Sequence, residues 1–167
     1  VYADALGLER VPVVANSMGG LWSFWYGLEH PDRVSKMVQM GCPALILDTS
    51  APAFMRLLGV PGINRLIAPM MQPKSGGSAL ELLRTQGSSQ EAIDRVPAVV
   101  GEAAYHFWNL PTYLDTWKTL ISAVVTLTGA KPRYQLGADQ LQHVRQPVQF
   151  VWGEKDPFGD LGVARQT

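Results

Sequence analysis

Val13-Val14-Ala15-Asn16-Ser17-Met18-Gly19-Gly20 is the stretch on which the reading of this chain turns. Val11, Val13 and Val14 make a short apolar run of the kind that forms a buried strand. Ser17 follows, with the small residues Ala15 and Gly19 two places to either side. An apolar helical pattern begins at once: Leu21, Phe24, Trp25 and Leu28 fall at i, i+3, i+4 and i+7. A bare small-x-Ser-x-Gly pattern arises by chance. The valine run before it and the helical pattern after it give this one its meaning.

Strand, sharp turn with a central serine, then helix is the geometry of a nucleophile elbow. The turn is so tight that strand and helix nearly touch at the positions two before and two after the serine, so only small side chains fit there. The serine is held in a strained backbone conformation that packing on both sides must enforce. Its hydroxyl is pushed out above the end of the sheet. The N–H of Met18, at the start of the helix, is aimed where an oxyanion would form. Ala15 stands where glycine is commoner and adds one methyl at the crowded point.

The chain has 167 residues, enough for one domain with a real core. It carries 14 basic and 14 acidic residues, so no basic face for nucleic acid is expected. Apolar runs such as Leu120 to Leu127 are far too short to span a bilayer. A single cysteine, Cys42, excludes an intrachain disulfide and fits a reducing compartment such as the cytoplasm. There is no Cys-x-x-Cys and no His-Glu-x-x-His, and Ser75-Gly76-Gly77-Ser78 lacks the ending of a phosphate loop. No metal and no cofactor are implied, and the expected partner is a small-molecule substrate.

Along the chain, Tyr2 to Leu6 predicts the last turns of a helix stopped by Gly7. The helix after the elbow is apolar nearly all round, which predicts a buried helix, and Pro31 predicts its end near His30. Val34, Met37, Val38 and Met40 predict a second, mostly buried strand, and with the first they make a right-handed parallel βαβ unit. From Ala44 to about Gly137 no strand is expected. Short helical patterns alternate there with Pro and Gly: 52–58, 63–71 and 79–86, the last with Ser78 as N-cap and Gly87 as stop. Ser88-Ser89-Gln90-Glu91 predicts a capping box opening a fourth helix, and 98–108 and 112–127 predict two longer ones. After a short helix around Asp139, Val148 to Trp152 predicts a third strand, ending in Gly153-Glu154-Lys155-Asp156-Pro157. Functional groups gather at the carboxyl ends of parallel strands, so Asp156 is the candidate acid, with Asp48 as its rival after the second strand.

These residues together resemble the α/β-hydrolase superfamily. The elbow, the link Glu29-His30-Pro31-Asp32-Arg33-Val34, and the strand and loop Gln146-Pro147-Val148-Gln149-Phe150-Val151-Trp152-Gly153-Glu154-Lys155-Asp156-Pro157 carry the likeness, in the family's order of serine, insertion, acid. The resemblance implies an α/β fold, a partial α/β-hydrolase with parallel strands and flanking helices. Residues 1–43 and 138–167 form its core, and 44–137 a helical cap. It implies Ser17 as nucleophile, Asp156 as triad acid and Met18 as an oxyanion donor. It also implies earlier strands and a catalytic histidine outside these residues. Within the chain, His30 sits thirteen residues along a helix from Ser17, ~20 Å at 1.5 Å per residue. His143 precedes the third strand, at the opposite edge of the sheet from Ser17, and His106 lies in the insertion.

The function expected is hydrolysis of a small, mostly apolar ester or related acyl compound by a Ser-His-Asp mechanism. A serine at the elbow argues against the family's dehalogenase and epoxide hydrolase branches, which use aspartate there. Cofactor-free, haloperoxidase-like perhydrolysis uses the same triad, and a non-enzymatic ligand receptor on the same fold is the alternative from another class.

Overall fold

Two apolar strand runs separated by one helix are satisfied by parallel pairing with the helix as crossover, and the computed structural model, which describes residues 2–49, 51–85 and 88–167, has that arrangement. In chain order the elements are α1 (Tyr2–Ala5), β1 (Val11–Asn16), α2 (Met18–Glu29), β2 (Val34–Met40), α3 (Ala53–Leu58), α4 (Ile63–Ile67), α5 (Gly76–Thr85), α6 (Gln90–Asp94), α7 (Ala98–Trp108), α8 (Tyr113–Val124), β3 (Val125–Thr126), β4 (Gly129–Ala130), α9 (Ala138–Leu141), β5 (Val148–Val151) and α10 (Leu161–Gln166). The described residues divide into two compact units, Val1–Ala51 with Pro132–Thr167 and Pro52–Lys131.

The first unit holds a parallel sheet in the order β1-β2-β5. Its register decides where the chemistry falls. Asn16 pairs with Met40, and Met40 with Val151, so all three strands end on one row. The residues that follow them, beginning with Ser17, Gly41 and Trp152, therefore leave from the same edge of the sheet. α2 crosses one face and buries Gly20, Leu21, Ser23, Phe24 and Gly27. The approach is close: a methyl at Gly27 would lie 2.2 Å from Met37 Cε. Gln146, itself buried, ties the far end of α2 by donating from Nε2 to Gly27 O at 2.9 Å. At the start of the chain, Gly7 takes φ +67° and Leu8 N–H donates to Ala3 O at 2.8 Å, closing α1 as its sequence predicts.

The structure departs from the sequence reading in several places. α2 is not buried all round. Trp22 and Tyr26 are 40% and 41% exposed, and they lean on single rings, Trp22 edge-on to Tyr134 and Tyr26 on His30. On β2 the inward residue near the end is Gln39 and not Met40, because strand alternation follows Met37 irrespective of polarity. Residues 44–49 and 132–137 belong with the sheet unit rather than the insertion. Ile46 bridges Leu136 in parallel, with Leu47 N–H on Leu136 O at 2.7 Å and Leu136 N–H on Leu45 O at 3.0 Å. Leu45 and Leu47, on either side of that bridge, take left-handed φ of 56° and 49°.

The second unit is built of short helices. α5 and α7 cross closely enough that a methyl at Gly101 would lie 2.8 Å from Gly76 O. Trp108 packs against Tyr113 and Trp117, and Phe107 against Tyr113, with ring centroids 4.5–5.9 Å apart. α8 stops at Val124, three residues before the expected end, because the β-branched pair Val125-Thr126 turns back in a hairpin with Gly129-Ala130. α5 starts at Gly76, so Ser78 is inside it; Ser75 Oγ accepts from Ser78 N–H and Ser78 Oγ from Ser75 N–H, a reciprocal cap. Gln86 and Gly87, read as the end of that helix and its stop, lie outside the described residues. α6 is capped by Ser89, which accepts from Ala92 N–H, and not by Ser88.

Candidate active site

Ser17 is the residue between β1 and α2, with φ 50° and ψ −116°. A side chain other than glycine in the left-handed region costs on the order of 1–3 kcal/mol. The conformation is held from two directions: Ser17 O accepts from Leu21 N–H at 3.2 Å, inside α2, and from Ala44 N–H at 2.9 Å, across from the end of β2. The serine side chain does not cap the helix, so its hydroxyl is not engaged by the first amides, Met18 N–H among them. A methyl at Gly19 would sit 4.0 Å from Ala15 Cβ, so strand and helix converge at the two small residues flanking the turn.

Asp156 lies in the loop after β5, half-buried. Its Oδ2 accepts from Cys42 N–H at 2.8 Å and its Oδ1 from Phe158 N–H at 2.9 Å. These two bonds fix the direction of the carboxylate. The loop is closed on itself by Trp152 Nε1 donating to Gly159 O at 2.8 Å. Gly41 separates Asp156 from the elbow. It takes φ +71°, and a methyl there would lie 3.1 Å from Asp156 Oδ2 and 3.6 Å from Asn16 Nδ2. Asn16 and Asp156 thus flank one glycine at the end of the middle strand.

The segment Gly41–Ala44 reaches both candidates: Cys42 N–H is bonded to Asp156 and Ala44 N–H to Ser17. The sequence reading passed over this role. A Gly-Cys-Pro turn at the carboxyl end of a central parallel strand was the available signal. Cys42 is buried, and its thiol is pushed up to about 12 by that burial and by the Asp156 charge. A methyl at Gly159 would lie 2.7 Å from its Sγ, so the acid loop also packs directly on Cys42.

The other residues picked out from the sequence make no hydrogen bond to either of this pair among the described residues. Asp48 is exposed, on the rim of a depression of about 400 Å³ that also takes in Asp156, Phe158 and Asp160; its carboxylate accepts no hydrogen bond among the described residues. His30 caps the far end of α2, and His143 is exposed ahead of β5, at the opposite edge of the sheet from Ser17. His106 is on α7, in the helical unit, beside Tyr105. Among the described residues no three His, Cys, Asp or Glu side chains are grouped to hold a metal, and no helix is long and apolar enough to cross a membrane.

Known proteins share this fold. A family profile for the alpha/beta hydrolase fold matches residues 3–167. Homoserine O-acetyltransferase of Deinococcus radiodurans is 33% identical over 89% of this chain and 44% of its own length. A 2-hydroxy-6-oxononadienedioate/2-hydroxy-6-oxononatrienedioate hydrolase of Paraburkholderia phymatum is 27% identical over 96% of this chain and 51% of its own. The chain therefore spans about half the length of the curated relatives it matches. Among solved structures, the 2-hydroxy-6-oxo-6-phenylhexa-2,4-dienoate hydrolase of a Rhodococcus species superposes with a TM-score of 0.67 at 17% identity, over 98% of this chain and 53% of that one. At that identity the likeness speaks for the fold. Profile and relatives cover nearly the whole sequence, and the chain belongs to the α/β-hydrolase family.

Proposed function

We propose that Ser17 is the nucleophile and Asp156 the triad acid of an acyl-transfer enzyme that hydrolyses a small, mostly apolar ester or related acyl compound. Its base, as the family resemblance implies, is a histidine outside these 167 residues; His30 is at the far end of the elbow helix from Ser17 and His143 precedes β5, while His106, in the helical unit, is the alternative within the chain. Ser17 Oγ attacks the substrate carbonyl while the histidine takes its proton. Met18 N–H holds the oxyanion of the tetrahedral intermediate. The histidine returns the proton to the leaving group, and water, activated by the same histidine, releases the acyl group from Ser17. Asp156 orients the histidine and stabilises its charged form.

The observation that carries this reading is the left-handed φ of 50° at Ser17, between a parallel strand and an uncapped helix. The relatives support it from another side: one is named as an acyltransferase and others as hydrolases. To the helical unit we assign the choice of substrate. Met70 and Phe107, 83% and 53% exposed, are apolar side chains that it offers to a substrate. In the whole enzyme, quenching during turnover of p-nitrophenyl acetate should leave an acetyl group on Ser17, found by mass spectrometry of its peptide. Turnover with no acyl group ever found on Ser17 would refute the proposal. Tight binding of the ester without turnover would favour the ligand-receptor reading.

A further inference from the structure

Gln39 lies on β2, the middle strand, and is 0% exposed. Val34 and Met37, buried on the same strand, are apolar. Burying an amide costs free energy unless all its polar atoms are bonded, and this one is only half satisfied. Nε2 donates to Ser23 Oγ at 2.8 Å, while Oε1 has no partner among the described residues. A methionine has a similar volume and no such cost. Packing of the sheet therefore gives no reason for a glutamine here.

What the side chain touches is the elbow. Ser23 passes the bond on, donating from Oγ to Gly20 O at 2.8 Å. A methyl at Gly20 would lie 2.6 Å from Gln39 Oε1 and 3.0 Å from Pro43 Cβ, so the amide and the proline wedge the first turn of α2. Gly20 is three residues beyond Ser17, on the turn whose Met18 N–H faces the proposed oxyanion. We propose that Gln39 is a positioning residue for Ser17. Through Ser23 and Gly20 it sets the first turn of the elbow helix against β2, and with it the directions of Ser17 Oγ and Met18 N–H. The unsatisfied Oε1 is stability given up for that alignment.

This inference rests on Ser17 being the nucleophile, and the test separates the two. The rate of Ser17 modification by a fluorophosphonate is measured in the whole enzyme, alongside the thermal midpoint, for the parent and Gln39→Met. The expected result is a rate about ten- to hundredfold lower, the scale of a small misplacement of reacting groups, with a midpoint unchanged or raised. A lowered midpoint with an unchanged rate would make Gln39 merely structural and overturn the inference. Ser23→Ala should slow the reaction by a similar factor, and the double variant by no more than the larger single loss, because both act along one path. If Gln39→Met does not fold, Ser23→Ala decides: an unchanged rate overturns the proposal. A parent enzyme unmodified at Ser17 would overturn the nucleophile reading itself.

Discussion

The two units of this molecule are held together in different ways. In the sheet unit the decisive bonds join residues far apart in sequence. Cys42 reaches Asp156, Gln146 reaches Gly27, and Ala44 reaches Ser17. Many of the polar contacts of the helical unit are instead local: Ser89 to Ala92, Ser75 to Ser78, Glu91 to Arg95, Asp115 to Lys118. Local caps and i,i+4 pairs fix helices but specify little about what surrounds them. Long-range bonds onto one sheet edge fix the position of individual atoms, which is what catalysis requires. This contrast agrees with the proposal that the sheet unit carries the chemistry.

The largest expected effects come from the two side chains at the sheet edge. Ser17→Ala should lower ester turnover of the whole enzyme by about 10⁴ to 10⁶, with little change in the urea midpoint. Asp156→Asn should cost about 10⁴. Turnover near the parent's in either variant would break the comparison.

Next in size are two glycine substitutions, one in each unit. Gly20→Ala places a methyl 2.6 Å from Gln39 Oε1, and Gly101→Ala places one 2.8 Å from Gly76 O. Each should destabilise by about 1–3 kcal/mol through overpacking, read as a lower urea midpoint. Only Gly20→Ala should also slow modification of Ser17; equal slowing by Gly101→Ala would show that the units are not separable in this way.

Cys42 sharpens the same contrast. Its thiol is raised from 9.0 to about 12 by burial and then by the Asp156 charge, so the fold favours the neutral form. That contribution is complete below about pH 9 and is lost as pH rises through about 12. Iodoacetamide should therefore leave Cys42 nearly unmodified in the native protein between pH 7 and pH 9, and react freely once urea unfolds it. Rapid native alkylation would mean that the acid loop does not pack on Cys42. Smallest of all, Ser89→Ala should cost about 1 kcal/mol of stability from a lost cap, with no change in turnover.

How much of this was legible in the sequence follows the same division. The three strands, the elbow and the acid loop are marked by rare coincidences: a serine between small residues after valines, a Pro after a helix, an Asp past a strand. That they are neighbours in one parallel sheet is what the family resemblance implies; the order β1-β2-β5, with β2 in the middle, comes from the structure. The helices of the second unit were legible as helices, but their ends were not. Ser75 and Ser78, or Ser88 and Ser89, offer equivalent caps one to three residues apart, and only the finished packing chooses between them. The hairpin at Val125–Thr126 was hidden because an apolar β-branched pair continues a helical pattern as well as it starts a strand. Gln39 and the Gly41–Ala44 turn were missed because their roles depend on partners 16 to 114 residues away.

The most direct measurement is the site of a fluorophosphonate adduct on the whole enzyme, mapped by peptide mass spectrometry with Ser17→Ala as the paired variant. The account predicts a single adduct, on Ser17, that is lost in the variant. An adduct on a different serine, or labelling that survives Ser17→Ala, would contradict it.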